Sequence, residues 1–170
     1  MNDEVLFEGA HLLFRRRRGW EYVEHRTAKE SVMVVALTDD GRLVLVDEIR
    51  PAVDARVICL PAGLVGDEEP EDRESAARRE LSEETGYETS RLELLGRGPG
   101  SAGMSSEIVN FYRARGVRLA GSPGDREKEE IRVHLVPPEE LVAWARDREA
   151  EGILIDPKVW AGLFLSRARP

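Results

Sequence analysis

The chain has 170 residues, of which 41% are hydrophobic and 34% are charged, and its formal net charge is −8. These values are typical of a soluble globular protein with one domain, residues 1–170, and the acidic balance disfavours nucleic acid as a general partner. Because Cys59 is the single cysteine, an internal disulfide is excluded. The sequence has no signal-peptide pattern, and its longest apolar run (32–37) is too short to cross a membrane. We therefore expect a cytoplasmic protein.

The N-terminal part predicts strands on either side of a basic segment. Residues 4–14 predict one strand with imperfect alternation, and residues 20–26 predict another. Four arginines (15–18) precede Gly19 between them. We interpret this segment as a solvated hairpin tip, with a nucleic-acid patch as the alternative. Trp20 and Tyr22 share one face of the second strand, where one of them could stack on a base or belong to the core.

The rest of the chain alternates between strand and helix patterns. Residues 31–37 and 42–47 predict two strands joined by an Asp-Asp-Gly turn. Further strands are predicted at 57–60, 91–95, 107–112 and 131–136, with a polar loop at 116–130. Helices are predicted at 76–87, at 137–149 and from Pro157 onward, the last with Asp156 as its N-cap. This order predicts an α/β fold in which helices cover both faces of a mixed sheet.

The first predicted helix carries an acidic edge. At 100° per residue, Glu80, Glu83 and Glu84 fall within an arc of roughly 100°. Arg79 lies four residues before Glu83 and can pair with it. Crowded carboxylates repel each other, and a hard divalent cation such as Mg²⁺ would remove that repulsion. A solvated, charged helix is the alternative interpretation of the carboxylates alone.

The full pattern favours the metal site. Residues 79–87, RELSEETGY, match the distal half of the Nudix box, Gly-x5-Glu-x7-Arg-Glu-apolar-x-Glu-Glu-x-Gly-apolar. The proximal half is longer: counting from Gly63 gives Glu69 as the first box glutamate, whereas counting back from Arg79 gives Glu71. Both assignments stay open. The chain therefore resembles the Nudix hydrolase family.

Three flanking segments are similar to the ADP-ribose pyrophosphatase and nucleoside-diphosphate-sugar hydrolase branch of that family. They are RPAV at 50–53, LPAG at 60–63 and SAGMSSE at 101–107. Ala102 stands where ADP-ribose pyrophosphatases usually carry proline. The resemblance implies a Nudix-type α/β/α sandwich and hydrolysis of a nucleoside diphosphate derivative. ADP-ribose is the favoured substrate. The alternative substrates are a nucleotide sugar such as GDP-mannose, a dinucleotide or a nucleoside triphosphate. The alternative function is that of a non-catalytic binding module.

The resemblance also implies roles for particular residues and a Mg²⁺ or Mn²⁺ cofactor. It implies a homodimer as well, to which residues 1–28 contribute. Glu80, Glu84 and the Ala62 carbonyl are expected to bind the metal, and Glu83 is expected to bind it or to act through water. Glu107 is expected to be the general base or a further metal-site carboxylate. Arg79, which orients Glu83, and the substrate-binding residues Trp20, Ser101 and Gly103 are expected to complete the site. Arg50 is expected to bind a phosphate through its guanidinium, with a surface salt bridge as the alternative.

Overall fold

The computed structural model describes residues 3–67, 69–122 and 131–168, so the end of the predicted loop 116–130 lies outside the described residues. The strands are β1 Asp3–Glu8, β2 Leu12–Arg17, β3 Trp20–His25, β4 Glu30–Thr38, β5 Leu43–Arg50, β6 Ala55–Cys59, β7 Ala62–Leu64, β8 Tyr87–Glu88, β9 Arg91–Pro99, β10 Ile108–Leu119, β11 Arg132–Val136 and β12 Leu154–Ile155. The helices are α1 Arg73–Thr85, α2 Leu141–Ala150 and α3 Pro157–Ala168.

The strands form two sheets. β1, β2 and β3 make a small antiparallel sheet. The larger sheet runs β12-β6-β5-β4-β10-β8, with β11 on β5, β7 on β4 and β9 on β10. β4 pairs with β10 in parallel along most of its length. On its other side β4 pairs with β7 near its start and with β5 only at Leu37, so β5 and β7 diverge from a common strand.

The larger sheet is covered on both faces, which confirms the predicted fold class. Side chains of β4 alternate between the two faces, as the period of two requires. Val32 and Val34 pack with Ala76 and Leu81 of α1. Met33 and its neighbours on the opposite face pack with α2 and α3, through a cluster that includes Val35, Leu141, Val159 and Leu163.

The box helix ends as the sequence predicts but begins earlier. Its N-cap is Asp72, whose carboxylate accepts a hydrogen bond of 2.9 Å from the backbone N–H of Ser75. Helix α1 therefore starts at Arg73 instead of residue 76. Gly86 has a φ of 73°, and its N–H bonds to the Ser82 carbonyl, so the predicted glycine stop is confirmed.

The prediction of one strand over residues 4–14 is wrong. The chain turns after Gly9, whose N–H donates to the Leu12 carbonyl at 2.8 Å, and β1 and β2 form a hairpin. The arginines at 15–17 belong to β2, and only Arg18 and Gly19 form the tip, both with positive φ. The strand arginines pair with acidic side chains across the sheet, namely Asp3, Glu4, Glu21 and Glu24.

The C-terminal predictions are partly wrong in their boundaries. The helix predicted at 137–149 begins at Leu141, because residues 138–140 form a turn in which the Glu140 N–H donates to the Pro137 carbonyl. β10 continues to Leu119, so the loop predicted from residue 116 starts too early. The start of α3 is confirmed: Asp156 accepts a hydrogen bond of 2.8 Å from the Lys158 N–H.

Candidate active site

Arg79 is the centre of an ion-pair cluster on α1. Its guanidinium lies 2.7 Å from Glu71, 2.8 Å from Glu80 and 3.0 Å from Glu83, and it donates to the Leu64 carbonyl at 3.2 Å. The contacts with the carboxylates raise the pKa of Arg79, and the hydrogen bond that Arg79 donates to Glu71 contributes most. Of the two candidates for the first box glutamate, Glu71 is therefore the one that contacts Arg79. Arg79 connects the loop before α1, strand β7 and the helix itself.

Glu84 is a buried carboxylate beside the strand that enters the box. Its side chain accepts a hydrogen bond of 3.0 Å from the Ala62 N–H, and the residue is 8% exposed. Burial, helped by the nearby charges of Glu80 and Glu48, raises the pKa of Glu84 to about 9 despite that hydrogen bond. The pairing of Met33 with Ala62 holds β7 in the position where it meets Glu84.

Glu80 lies one helical turn before Glu84 and packs directly on the same strand. A Cβ atom on Gly63 would overlap the Glu80 carboxylate, so the absence of a side chain at this position lets helix and strand approach closely. Burial raises the pKa of Glu80 to about 7, although the charge of Arg79 opposes the rise. Two carboxylates with raised pKa values thus face one short strand.

The donor set around Glu80 and Glu84 fits a hard divalent cation. Two half-buried or buried carboxylates without full charge compensation gain stability from a bound cation. Within residues 3–67, 69–122 and 131–168, no three His, Cys, Asp or Glu side chains surround a common point. An ion held here would draw further oxygen ligands from backbone, water or substrate, which is how Mg²⁺ is commonly bound in proteins.

Glu83 and Glu107 occupy different parts of this region. The Glu83 side chain is 46% exposed and pairs with Arg79. The Glu107 N–H donates to Ser105 Oγ at 3.0 Å. Glu107 lines a small cavity of about 170 Å³ together with Leu64 of β7. The predicted general base therefore lies next to the strand that packs against Glu80.

The predicted substrate loop packs against β3. Trp20 Nε1 donates to the Gly103 carbonyl at 3.1 Å, and Val23 exchanges backbone hydrogen bonds with Met104 and Ser106. The Ser101 carbonyl accepts the N–H groups of the turn that follows it. The structure thus brings Trp20 and Gly103 together. Loop and strand enclose a cavity of about 350 Å³ lined by Arg17, Arg18, Trp20, Tyr22, Ala102, Ser105 and Ser106.

Arg50 lies near Glu84 but is already paired. It forms an ion pair with Glu48, and its charge lowers the pKa of Glu84. Sequence reasoning did not single out Glu48. The signal that could have found it is spacing, because residues two apart on a strand share a face. By this alternation Glu48 and Arg50 share a face of β5 with Val44, which packs with residues of α1.

A larger cavity of about 740 Å³ lies at the start of α1, away from Glu80 and Glu84. Lys29, Glu30, Arg73 and Tyr112 are among its lining residues. Glu30 accepts hydrogen bonds from Arg73, Arg97 and Asn110, so acids and bases in this region neutralise one another. We place the candidate active site at Glu80 and Glu84, because the Arg79 guanidinium that contacts Glu80 is shared with Glu71 and Glu83 and compensates the carboxylates only in part.

Known proteins resemble this chain in sequence and in fold. The model of the NUDIX domain matches residues 27–155. The methanol dehydrogenase activator of Bacillus methanolicus is 34% identical to this chain. The matched segment covers 65% of this chain and 57% of that protein. The ADP-ribose pyrophosphatase of Bacillus subtilis (strain 168) is 31% identical over 76% of this chain and 68% of its own length.

A solved structure shows the same fold. It is described as an ADP compounds hydrolase and superposes on this chain with a TM-score of 0.73 and 23% sequence identity. The superposition covers 99% of this chain and 91% of the other chain. The resemblance first indicated by residues 79–87 is thereby confirmed over most of the chain. The protein belongs to the Nudix family.

Proposed function

We propose that this protein is a metal-dependent pyrophosphohydrolase that cleaves the diphosphate linkage of a nucleoside diphosphate derivative, with ADP-ribose as the favoured substrate. The observation that carries the proposal is the pair Glu80 and Glu84, buried against Ala62 and Gly63 with raised pKa values. The relative from Bacillus subtilis is an ADP-ribose pyrophosphatase. Water would add to one phosphorus and the bridging P–O bond would break, giving AMP and ribose 5-phosphate.

Glu80 and Glu84 would hold a Mg²⁺ or Mn²⁺ ion, together with the Ala62 carbonyl. Such an ion neutralises phosphate charge and lowers the pKa of bound water. Arg79 keeps Glu80 and Glu83 in fixed positions through its two ion pairs with them. Glu83, more exposed than Glu84, would bind the ion or act through a water molecule.

Glu107 is our proposed general base. Its position beside Leu64 supports this, because β7 also carries Gly63, the residue against which Glu80 packs. A carboxylate can accept the proton of the attacking water if it lies within hydrogen-bond reach. The same position would also suit a further metal-site carboxylate, as expected from the sequence.

The cavity between β3 and residues 101–106 is our proposed site for the base or distal sugar. Trp20 and Tyr22 offer aromatic surface there, and the loop residues Ser105 and Ser106 offer hydroxyl groups. Stacking on an aromatic ring contributes about 1–3 kcal/mol per base. We propose that Gly103 fixes Trp20, that Ser101 shapes the loop and that Arg50 contacts a phosphate. A nucleotide sugar such as GDP-mannose is the alternative substrate for this cavity.

We also propose that the protein works as a homodimer in the cytoplasm. The small sheet exposes apolar side chains of β1 and β2, including Val5, Phe7 and Leu12 at 49%, 67% and 48% exposure. Apolar surface of this kind is typical of protein interfaces. Light scattering coupled to size exclusion tests the dimer: a monomeric mass would overturn it. No helix in the described part of the chain is long and apolar enough to cross a membrane.

A substrate panel tests the proposed function. ADP-ribose, GDP-mannose, a dinucleotide and a nucleoside triphosphate are incubated with Mg²⁺ or Mn²⁺, and phosphatase-coupled phosphate release is measured. We expect the fastest release with ADP-ribose and none in the presence of a chelator. Turnover of the triphosphate with ADP-ribose and GDP-mannose both inert would overturn the substrate class. No turnover of any compound would favour a binding module.

A further inference from the structure

Glu107 is anchored through its main chain. Its N–H donates to Ser105 Oγ at 3.0 Å, and its carbonyl accepts the Gly100 N–H at 3.4 Å. A Cβ atom on Gly100 would lie 3.1 Å from Glu107 Oε2, so the carboxylate packs beside this glycine. Among the described residues, none forms an ion pair or a hydrogen bond with the Glu107 carboxylate. Its position is therefore set by backbone contacts, and no cation weakens it as a proton acceptor.

Ser105 is itself held by strand β3. Both of its neighbours bond to Val23: the Val23 N–H donates to the Met104 carbonyl at 2.8 Å, and the Ser106 N–H donates to the Val23 carbonyl at 3.1 Å. Val23 and Ser105 form an isolated parallel bridge through these bonds. The Ser105 N–H donates to the Ser101 carbonyl at 2.9 Å. Ser105 thus connects the small sheet to Glu107 through a continuous series of hydrogen bonds.

We infer that Ser105 is a positioning residue for Glu107, and that its hydroxyl oxygen couples the docking of the loop on β3 to the placement of the proposed general base. This inference rests on the proposed function, in which Glu107 accepts the proton of the attacking water. Without the Ser105 oxygen, the Glu107 N–H loses its acceptor and the peptide units that carry the carboxylate can turn. A displacement of about 1 Å in a catalytic group can lower the rate about 100-fold.

Amide hydrogen exchange, followed by NMR without metal or substrate, tests the contact. We expect the Glu107 amide to exchange about 2- to 10-fold faster in Ser105→Ala than in the unaltered protein, and Ser105→Thr to restore its protection because the hydroxyl is kept. Ser106→Ala is the matched control, since Ser106 lines the same two cavities as Ser105 and should leave this amide unchanged. The amide of Val34, which donates to the Pro61 carbonyl, reports that each variant is folded.

Steady-state kinetics test the role of the contact, with the compound of the substrate panel that is hydrolysed fastest. Ser105→Ala should lower kcat by up to about 100-fold with a much smaller change in KM, and Ser105→Thr should keep most of kcat. In the Glu107→Gln background, Ser105→Ala should lower the residual kcat no further, because it acts through the carboxylate. A change confined to KM, or the same loss in both backgrounds, would make Ser105 a substrate contact and overturn the inference.

The two measurements allow this inference and the proposed function to fail separately. If no compound is hydrolysed, the proposed function fails, and the exchange rates still decide whether Ser105 holds Glu107. If hydrolysis proceeds and Ser105→Ala leaves kcat unchanged, the inference fails and the proposed function stands. Equal exchange of the Glu107 amide in the unaltered protein and in Ser105→Ala also overturns the inference, whatever the kinetics.

Discussion

Arg79 Nη2 lies 2.7 Å from Glu71 Oε1, and this contact ties the loop before the box helix to the helix itself. Glu71 also accepts the Gly66 N–H at 3.3 Å, so one carboxylate fixes both the loop backbone and the arginine. Arg79 in turn contacts Glu80. The position of a proposed metal ligand therefore depends on a residue nine positions earlier in the chain.

Replacing Glu71 should lower both stability and turnover. Glu71→Gln removes a partly buried, charge-assisted pair with Arg79, and such hydrogen bonds contribute about 1.5–3 kcal/mol. Urea unfolding should show a loss of this size, and turnover should fall because Arg79 no longer fixes Glu80. The matched control is Glu69→Gln. A larger effect of Glu69→Gln than of Glu71→Gln would assign the first box glutamate to Glu69.

A side chain at residue 63 should disturb Glu80. Gly63→Ala places a Cβ atom on the Glu80 carboxylate, which is the end of a flexible side chain and can move aside. We therefore expect a small change in the midpoint of thermal unfolding and a clearly higher Kd for Mn²⁺, because the carboxylate leaves its position. Gly98→Ala is the control, because its Cβ would meet no atom within 4 Å. Equal effects of the two substitutions would contradict the close approach of β7 and α1.

Removing the charge of Glu84 should separate function from folding. Glu84→Gln keeps the shape but loses the proposed metal contact, and we expect metal-dependent turnover to fall more than about 100-fold, beyond the loss typical for an indirect partner. At neutral pH the metal-free variant should unfold at a higher temperature than the unaltered protein, because Glu84, with its pKa raised to about 9, must take up a proton on folding and glutamine does not. Turnover close to that of the unaltered protein would exclude Glu84 as a metal ligand.

Trp20 should contribute to substrate binding more than to the chemical step. Trp20→Ala removes the aromatic wall of the cavity beside residues 101–106. Loss of about 1–3 kcal/mol of stacking would raise KM about 5- to 150-fold, with a much smaller change in kcat. Trp160→Ala, on α3, provides a control with a partly exposed indole. An unchanged KM for Trp20→Ala would leave the cavity without a role in binding.

Glu30 should make stability depend on pH on the acid side. The hydrogen bond that Arg73 donates to Glu30 lowers the pKa of Glu30 below its ordinary value of 4.5. Burial opposes this change, and the charge of Arg73 adds to it. A lowered folded-state pKa means that the stabilisation is present above the unfolded pKa and is lost as the pH falls through the folded pKa. Urea unfolding from neutral pH to about pH 3 should therefore show a smaller loss of stability in Glu30→Gln than in the unaltered protein.

The distal box could be predicted from sequence because its chemistry is local. Residues 79–86 lie on one helix and its cap, so periodicity and spacing place Glu80, Glu84 and Gly86 directly. The approach of Gly63 to Glu80 and the ion pair of Glu48 beside Glu84 depend on how β5 and β7 diverge from β4. That divergence is a long-range property of the sheet, and no local pattern encodes it.

The N-terminal errors have a similar physical cause. Residues 4–14 contain no strong turn pair, and Gly9 alone does not predict a reversal, although its N–H closes the β1–β2 hairpin. The arginines at 15–17 are strand residues because acids on β1 and β3 face them. Cross-strand charge pairing stabilises such a strand, but it is visible only once the register is known.

The hydrogen bonds between Val23 and the loop residues Met104 and Ser106 involve main-chain atoms alone. These bonds do not involve the Ala102 side chain, whereas Ser105 also holds the loop through its hydroxyl, which accepts the Glu107 N–H. Ala102 can replace the proline usual in ADP-ribose pyrophosphatases without loss of these bonds, and bulkier or polar residues can be placed there in the same way. Position 102 is thus a place where the lining of this cavity can be changed while the proposed metal ligands on α1 are left as they are.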